Sequence, residues 1–209
     1  MRAGNLLLIP LILFLISACT AIPTTKLDQV AFEKIDAINI ETTPLVPDKL
    51  SVISSVDVTY LGVGVAATSG DDKGIKPLIL DYLEQHKIDL SKIITEQFSN
   101  LAKEAAFPKG ISHDDQNAEL KITINIVVVG MNHGFSDKLN SRFNLSGQLY
   151  DDAGNIIWSY TATPTSLSPY SVSYTPDQIF ESPESFTRFF STGSKPIVEK
   201  LFKNLSKQI

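Results

Sequence analysis

Glu119-Leu120-Lys121-Ile122-Thr123-Ile124-Asn125-Ile126-Val127-Val128-Val129 reads with a period of two. Leu120, Ile122, Ile124, Ile126 and Val128 fall on one side of an extended chain, and Glu119, Lys121, Thr123 and Asn125 on the other. A helix would scatter the same residues around its axis, so the stretch predicts a strand with one buried face. Val127 and Val129 make its far end apolar on both sides, as expected near the centre of a sheet.

The flanking sequence extends that sheet. In 142–150, Phe143, Leu145 and Leu149 alternate with polar residues, and in 156–163 Trp158 and Tyr160 alternate with Ser159 and Thr161. Asp151-Asp152-Ala153-Gly154-Asn155 between them supplies turn residues, so the pair predicts a hairpin. Two earlier strands are expected over 35–40 and 50–61, separated by Pro44 and Pro47. Upstream of the central strand, positions 90, 93, 94, 98, 101, 102 and 105 are apolar at helical spacing, with Gln97 the one polar exception. That predicts a helix capped by Asp89 and ended by Pro108 and Gly110. A shorter helix is expected over 78–87. A closing helix carries Ile197, Val198, Leu201, Phe202 and Leu205 on one stripe, with Pro196 in its first turn. Between hairpin and closing helix, residues 163–176 hold ten Ser, Thr or Pro among fourteen and read as an irregular surface excursion. The expected fold is α+β: a mixed, largely antiparallel sheet with helices packed on one face.

The N-terminus has a different character. Arg2 precedes an apolar run over 6–16, shorter than the roughly 20 residues that span a bilayer, and Ile16-Ser17-Ala18-Cys19 follows. This order resembles the lipobox of bacterial lipoproteins. The resemblance implies a signal peptide over 1–18, removed on export, and a mature chain that begins at a Cys19 carrying diacylglycerol and a further acyl chain such as palmitate. Two or three acyl chains make attachment to a bilayer effectively permanent. Thr20, in place of an aspartate, implies forwarding to the outer membrane, facing the periplasm. Residues 19–34 are then expected to be the lipidated cysteine and a tether, and 35–209 a single periplasmic domain.

The helix, the Ala118–Ile124 strand and the Asp151-x-x-Gly154-x-x-x-Trp158 hairpin are similar in order to small periplasmic lipoproteins. That group includes the periplasmic domain of the curli-secretion lipoprotein, activators of penicillin-binding proteins, and auxiliary lipoproteins of envelope transporters. The resemblance implies a non-enzymatic binding, assembly or accessory role.

Composition narrows the chemistry. Cys19 is the only cysteine among 209 residues, which leaves neither a disulfide scaffold nor a cysteine zinc cluster. A net charge of −5 argues against a nucleic-acid partner, which needs clustered Lys and Arg. Gly62 and Gly64 lack the third glycine of a dinucleotide fingerprint, and Asp71 and Asp72 beside Lys73 would repel phosphate. His113-Asp114-Asp115 clusters three donors where loop residues are expected anyway, and neither His86 nor His133 has a serine in a nucleophile context. The scattered carboxylates nominate no acid/base pair. No catalytic residue, metal or cofactor is expected.

The aromatic residues late in the chain are the candidate binding positions. Tyr170 and Tyr174 alternate with Ser171 and Ser173 as an edge strand would, and Phe180 follows in the same polar setting; such aromatics anchor protein partners. Phe186, Phe189 and Phe190 instead read as a helical face on the sheet. The expected partners are the bilayer, through acylated Cys19, and an envelope protein or a second copy of the chain. A carrier of a small apolar ligand, with a cavity beside Phe98, Ile124 and Ile126, is the alternative expectation. A cell-wall hydrolase is the third.

Overall fold

The computed structural model describes residues 23–53, 75–111, 118–131, 138–164 and 172–209. Its elements are α1 (Gln29–Glu33), β1 (Ala37–Thr43), β2 (Leu50–Ile53), α2 (Ile75–Gln85), α3 (Leu90–Glu104), β3 (Gly110–Ile111), β4 (Ala118–Met131), β5 (Leu139–Tyr150), β6 (Ile156–Ala162), α4 (Pro176–Ile179) and α5 (Pro183–Ser206). The fold is α+β. Six strands form one mixed sheet in the order β3-β1-β4-β5-β6, with β2 also on β4.

β4 is the hub. β5 runs antiparallel on one side of it, and β6 continues that meander. On the other side, β1 and β2 both run parallel to β4, β1 against 118–123 and β2 against 127–130. They are two halves of one interrupted strand. Pro44 and Pro47 cannot donate to a ladder, so the chain leaves the sheet after Thr43 and rejoins at Leu50.

A β-bulge in β4 lies opposite that interruption, between Ile124 and Ile126 in the pairing with β5. One extra residue reverses the alternation. Leu120, Ile122 and Ile124 are buried as expected, but beyond the bulge Val127 and Val129 take the buried face at 0% exposure and Ile126 turns outward at 38%. The expected grouping of Ile126 and Val128 with Leu120 is thereby corrected. Asn125, at the bulge, donates to Asn144 Oδ1 at 2.8 Å and Ser146 Oγ at 2.6 Å, and Ser146 Oγ lies 2.9 Å from Thr161 Oγ1.

The helices cover the buried face. α3 has its expected N-cap: the Asp89 carboxylate accepts from the Ser91 amide at 2.8 Å and the Ser91 hydroxyl at 2.6 Å. It ends at Glu104, ahead of Pro108, because Ala106 takes a φ of 48° and the Phe107 amide returns to the Ala102 carbonyl at 2.9 Å. α5 also departs from expectation. It starts at Pro183, capped by Ser182, so Pro196 stands inside a 24-residue helix and not in a first turn. Proline withholds one amide from the helical ladder there. Gln97 of α3 reaches this turn, donating to the Ser191 carbonyl at 2.8 Å and accepting from Ser194 Oγ at 2.9 Å. The polar exception in the α3 stripe is therefore the residue that ties α3 to the proline-interrupted part of α5. Phe186, Phe189 and Phe190 are buried on the sheet, as their spacing predicts.

The Asp151-x-x-Gly154-x-x-x-Trp158 pattern is structural. Asp151 accepts from the Asn155 amide at 2.7 Å and its side-chain amide at 3.0 Å, while Gly154 takes a φ of 80° that an L-residue rarely adopts. Trp158 is fully buried and donates from Nε1 to Asn204 Oδ1 at 3.2 Å. Hydrogen bonds from the Asn155 side chain, then from its amide, hold the Asp151 carboxyl below its ordinary value of 3.8. The charged form is the one favoured by folding, so its contribution is present above pH 4 and fades as pH falls through the lowered value. In an NMR titration Asp151 should therefore titrate below 3.8. Asn155→Ala should move it part of the way up, because the amide of residue 155 still donates to Asp151; an unmoved midpoint would remove the Asn155 side chain as the leading cause.

The segment expected to be tether is packed from Thr25 onward. Thr25 exchanges backbone hydrogen bonds with Ser159 at 3.0 and 3.1 Å, and the Asp28 amide donates to the Ile157 carbonyl at 2.8 Å. Leu27 and Phe32 are buried in the common core. The chain ahead of β1 covers the edge of β6, which would otherwise present an open ladder.

Candidate functional site

An open groove of about 540 Å³ is lined by Ile75, Leu78 and Tyr82 of α2, Leu139 of β5, and Pro176, Asp177 and Phe180 in and after α4. Its two lining rings, Tyr82 and Phe180, pack on the buried ring of Phe186. Tyr82 stacks on Phe186 with centroids 4.6 Å apart and meets Phe180 edge-on at 5.3 Å. Phe180 in turn lies 5.4 Å from Phe186. Leu78 stands 49% exposed on the rim. An exposed leucine beside partly buried aromatic rings is the arrangement that a hydrophobic side chain of a partner would complete.

Local sequence places each wall. On α2, Ile75, Leu78 and Tyr82 share a stripe at i, i+3 and i+7, while Ile79 beside them is buried. Thr175 and Gln178 form a capping box that holds the single turn of α4, with Pro176 at its start. Tyr174 fixes this turn to the sheet: its backbone exchanges hydrogen bonds with Leu139 at 2.7 and 2.9 Å, and its ring meets Phe189 edge-on at 5.8 Å.

Asp177 is the charged residue among those that line the groove. The neighbouring segments 75–87 and 176–188 also carry Asp81, Glu84, Glu181 and Glu184, against Lys76, Lys87 and Arg188, and Lys138 adjoins Leu139. Glu184 is held below the ordinary carboxylate range by hydrogen bonds from its own backbone amide and from Ser182, with the nearby His86 adding to the effect. His86 packs against Tyr82 with ring centroids 4.2 Å apart.

Of the residues singled out in the sequence, Phe180 lines the groove and Tyr174 braces its wall. Cys19 and Tyr170 lie outside the described residues, as do Gly62–Gly74, His113-Asp114-Asp115 and His133. Ile75, Leu78, Tyr82, Leu139, Pro176 and Asp177 carried no expectation. The signal for the α2 residues was present, since that helix has more apolar faces than one buried stripe requires. Leu139 was not legible, because its position depends on pairing with Tyr174 across the chain. Phe98, Ile124 and Ile126 do not share a cavity wall: Phe98 packs edge-on against Phe202 at 5.4 Å, and Ile126 points to the opposite face of the sheet. Among the described residues no three His, Cys, Asp or Glu side chains converge as a metal site, and no helix is long and apolar enough to cross a membrane.

No family model and no curated protein sequence matches the chain. A crystal structure of protein XCC0632 from Xanthomonas campestris, of family DUF330, is similar at 11% identity and a TM-score of 0.37, over 83% of this chain and 85% of that one.

Proposed function

We propose that the chain is a lipoprotein of the bacterial envelope, held in the outer membrane by acylated Cys19, whose periplasmic domain acts without catalysis by docking a protein partner. The observation that carries the docking role is the aromatic groove with Asp177 in its wall. Charge complementarity selects the occupant: a segment of an envelope protein that sets an apolar side chain beside a lysine or arginine. The apolar side chain would fill the space between Leu78, Tyr82 and Phe180, and the basic one would meet Asp177.

The groove also lies far from the chain's attachment. β5 runs from Leu139 at the groove to Gln148, which pairs with Ser159 beside Thr25. Those nine steps at ~3.3 Å each put about 30 Å between the two ends. A domain tethered at one pole would thus offer the groove to the periplasm.

Two measurements test this reading. Cys19→Ala should abolish fatty-acid labelling and leave an unprocessed precursor; normal processing would overturn the lipoprotein assignment. A photocrosslinker at position 180 in intact envelopes should capture a peptide with a basic residue beside apolar ones. Leu78→Glu should weaken the capture about tenfold, the loss of ~1.5 kcal/mol of apolar burial, and Asp177→Lys should weaken it too. Adducts indifferent to both substitutions would remove the groove as the docking site, and a peptide from a second copy of this chain would replace the envelope partner by self-association. Ligand retained by the delipidated protein in native mass spectrometry would favour a carrier instead.

A further inference from the structure

We infer that the pole opposite the groove is a bilayer-contact surface, an inference that rests on the reading of Cys19 as the acylated anchor. Thr25, the first residue paired with the sheet through its backbone, follows Cys19 by six residues, a chain that reaches at most about 20 Å when fully extended. Thr25 is pinned to Ser159 in both hydrogen-bonding directions, so the fold is held near the anchor by a short connection and by a fixed point on its own surface.

The surface around that point has the composition an interface requires. Val30 is 67% exposed, Ile156 44% and Ile209 45%, three of the large apolar residues left on the outside of the protein. They belong to elements brought together by hydrogen bonds. The Asp28 amide donates to the Ile157 carbonyl at 2.8 Å, next to Ile156. The Leu27 amide donates to Gln208 Oε1 at 2.8 Å, and the Gln29 side chain donates to the Gln208 carbonyl, next to Ile209. Lys26, Lys203 and Lys207, all exposed, stand on the same segments. Carboxylates stand on these segments too: Asp28, which caps α1, Glu33, and Asp151 and Asp152 of the hairpin turn, so the aliphatic side chains and the short connection to Cys19 carry the contact and the lysines supplement it. Exposed aliphatic side chains among lysines match a surface of anionic phospholipid, the apolar groups at the headgroup boundary and the ammonium groups at the phosphates.

The partner is the lipid surface itself, and its contact orients the domain. α5 leads away from this pole, from Ser206 back to Pro183, over 24 residues or ~36 Å. The groove is thereby held away from the bilayer by a rigid element.

The test uses the full-length lipoprotein, purified and reconstituted into vesicles of phosphatidylethanolamine and phosphatidylglycerol that contain brominated lipid. A fluorophore placed by Val30→Cys or Ile156→Cys should lose emission by bromine quenching, and one placed by Lys87→Cys, at the groove pole, should keep it. In vesicles of phosphatidylcholine alone the quenching at position 30 should weaken, and equal quenching would overturn the role of the lysines. Emission at positions 30 and 156 as strong as at 87, in protein that mass spectrometry shows to be acylated at Cys19, would overturn the contact surface. An unmodified Cys19 would overturn the anchor reading instead.

Discussion

Gly193→Ala is expected to lower the stability of the protein by roughly 3 kcal/mol, although alanine is the better helix former by about 1 kcal/mol. Gly193 lies within α5, where that helix crosses β5 at Ser141. A methyl group there would overlap Ser141 Oγ and the Ser141 carbonyl oxygen, and would stand 2.8 Å from its carbonyl carbon. The obstacle is strand backbone, which cannot rotate away as a side-chain tip can. Ser141 Oγ also donates to the Phe189 carbonyl at 2.9 Å, so lifting the helix would break a buried hydrogen bond as well. Urea unfolding followed by circular dichroism measures the effect as a lower midpoint at constant slope. Adding Ser141→Gly should recover only part of the loss, because the hydroxyl is removed and the carbonyl remains. A Gly193→Ala protein as stable as the parent would show that α5 and β5 do not approach so closely.

Trp158→Ala is expected to cost about 3–5 kcal/mol, the range for deleting a large buried ring. Trp158 has no exposed surface and lies over Gly147, whose missing side chain makes room for it: a Cβ at Gly147 would stand 2.8 Å from Trp158 Cζ3. The ring also links β6 to the last turns of α5 through Asn204. Trp158→Phe should be much milder, at about 1–2 kcal/mol, since it keeps most of the ring and Asn204 Oδ1 still accepts from Gln208 Nε2 at 3.0 Å. Circular dichroism in urea reads both variants. Equal losses for Ala and Phe would assign the stability to the Asn204 hydrogen bond and not to the ring.

Several of these features were legible because their causes are local. The seven apolar positions that predicted α3 and its Asp89 cap lie within seventeen consecutive residues, and the structure places the helix over Leu90–Glu104 with Ala105 as its C-cap. The hairpin from β5 to β6 was readable from Asp151, Gly154 and the flanking alternation. Errors arose where a distant partner decides the outcome. Pro196 looked like a helix start because proline favours the first turn, but contacts of Phe186, Phe189 and Phe190 with the sheet carry α5 through it. The candidate site was half legible. Aromatic residues in a polar stretch drew attention to Tyr174 and Phe180, whereas the α2 side of the groove and Leu139 come from elsewhere in the chain.

By itself the sequence determined the α+β class, the buried face of β4 ahead of Asn125, the position of α3 and the turn chemistry of the hairpin. Periodicity and turn residues act over a few neighbours, and no remote segment is needed to read them. Only the tertiary structure decided that β1 and β2 share one side of β4, that a bulge at Asn125 exchanges Ile126 for Val127 in the core, and that residues 25–33 belong to the domain. It also decided that the groove and the pinned N-terminal segment occupy opposite poles. Each of these depends on which backbone groups pair across long separations, and a pairing register leaves no mark on the local order of side chains.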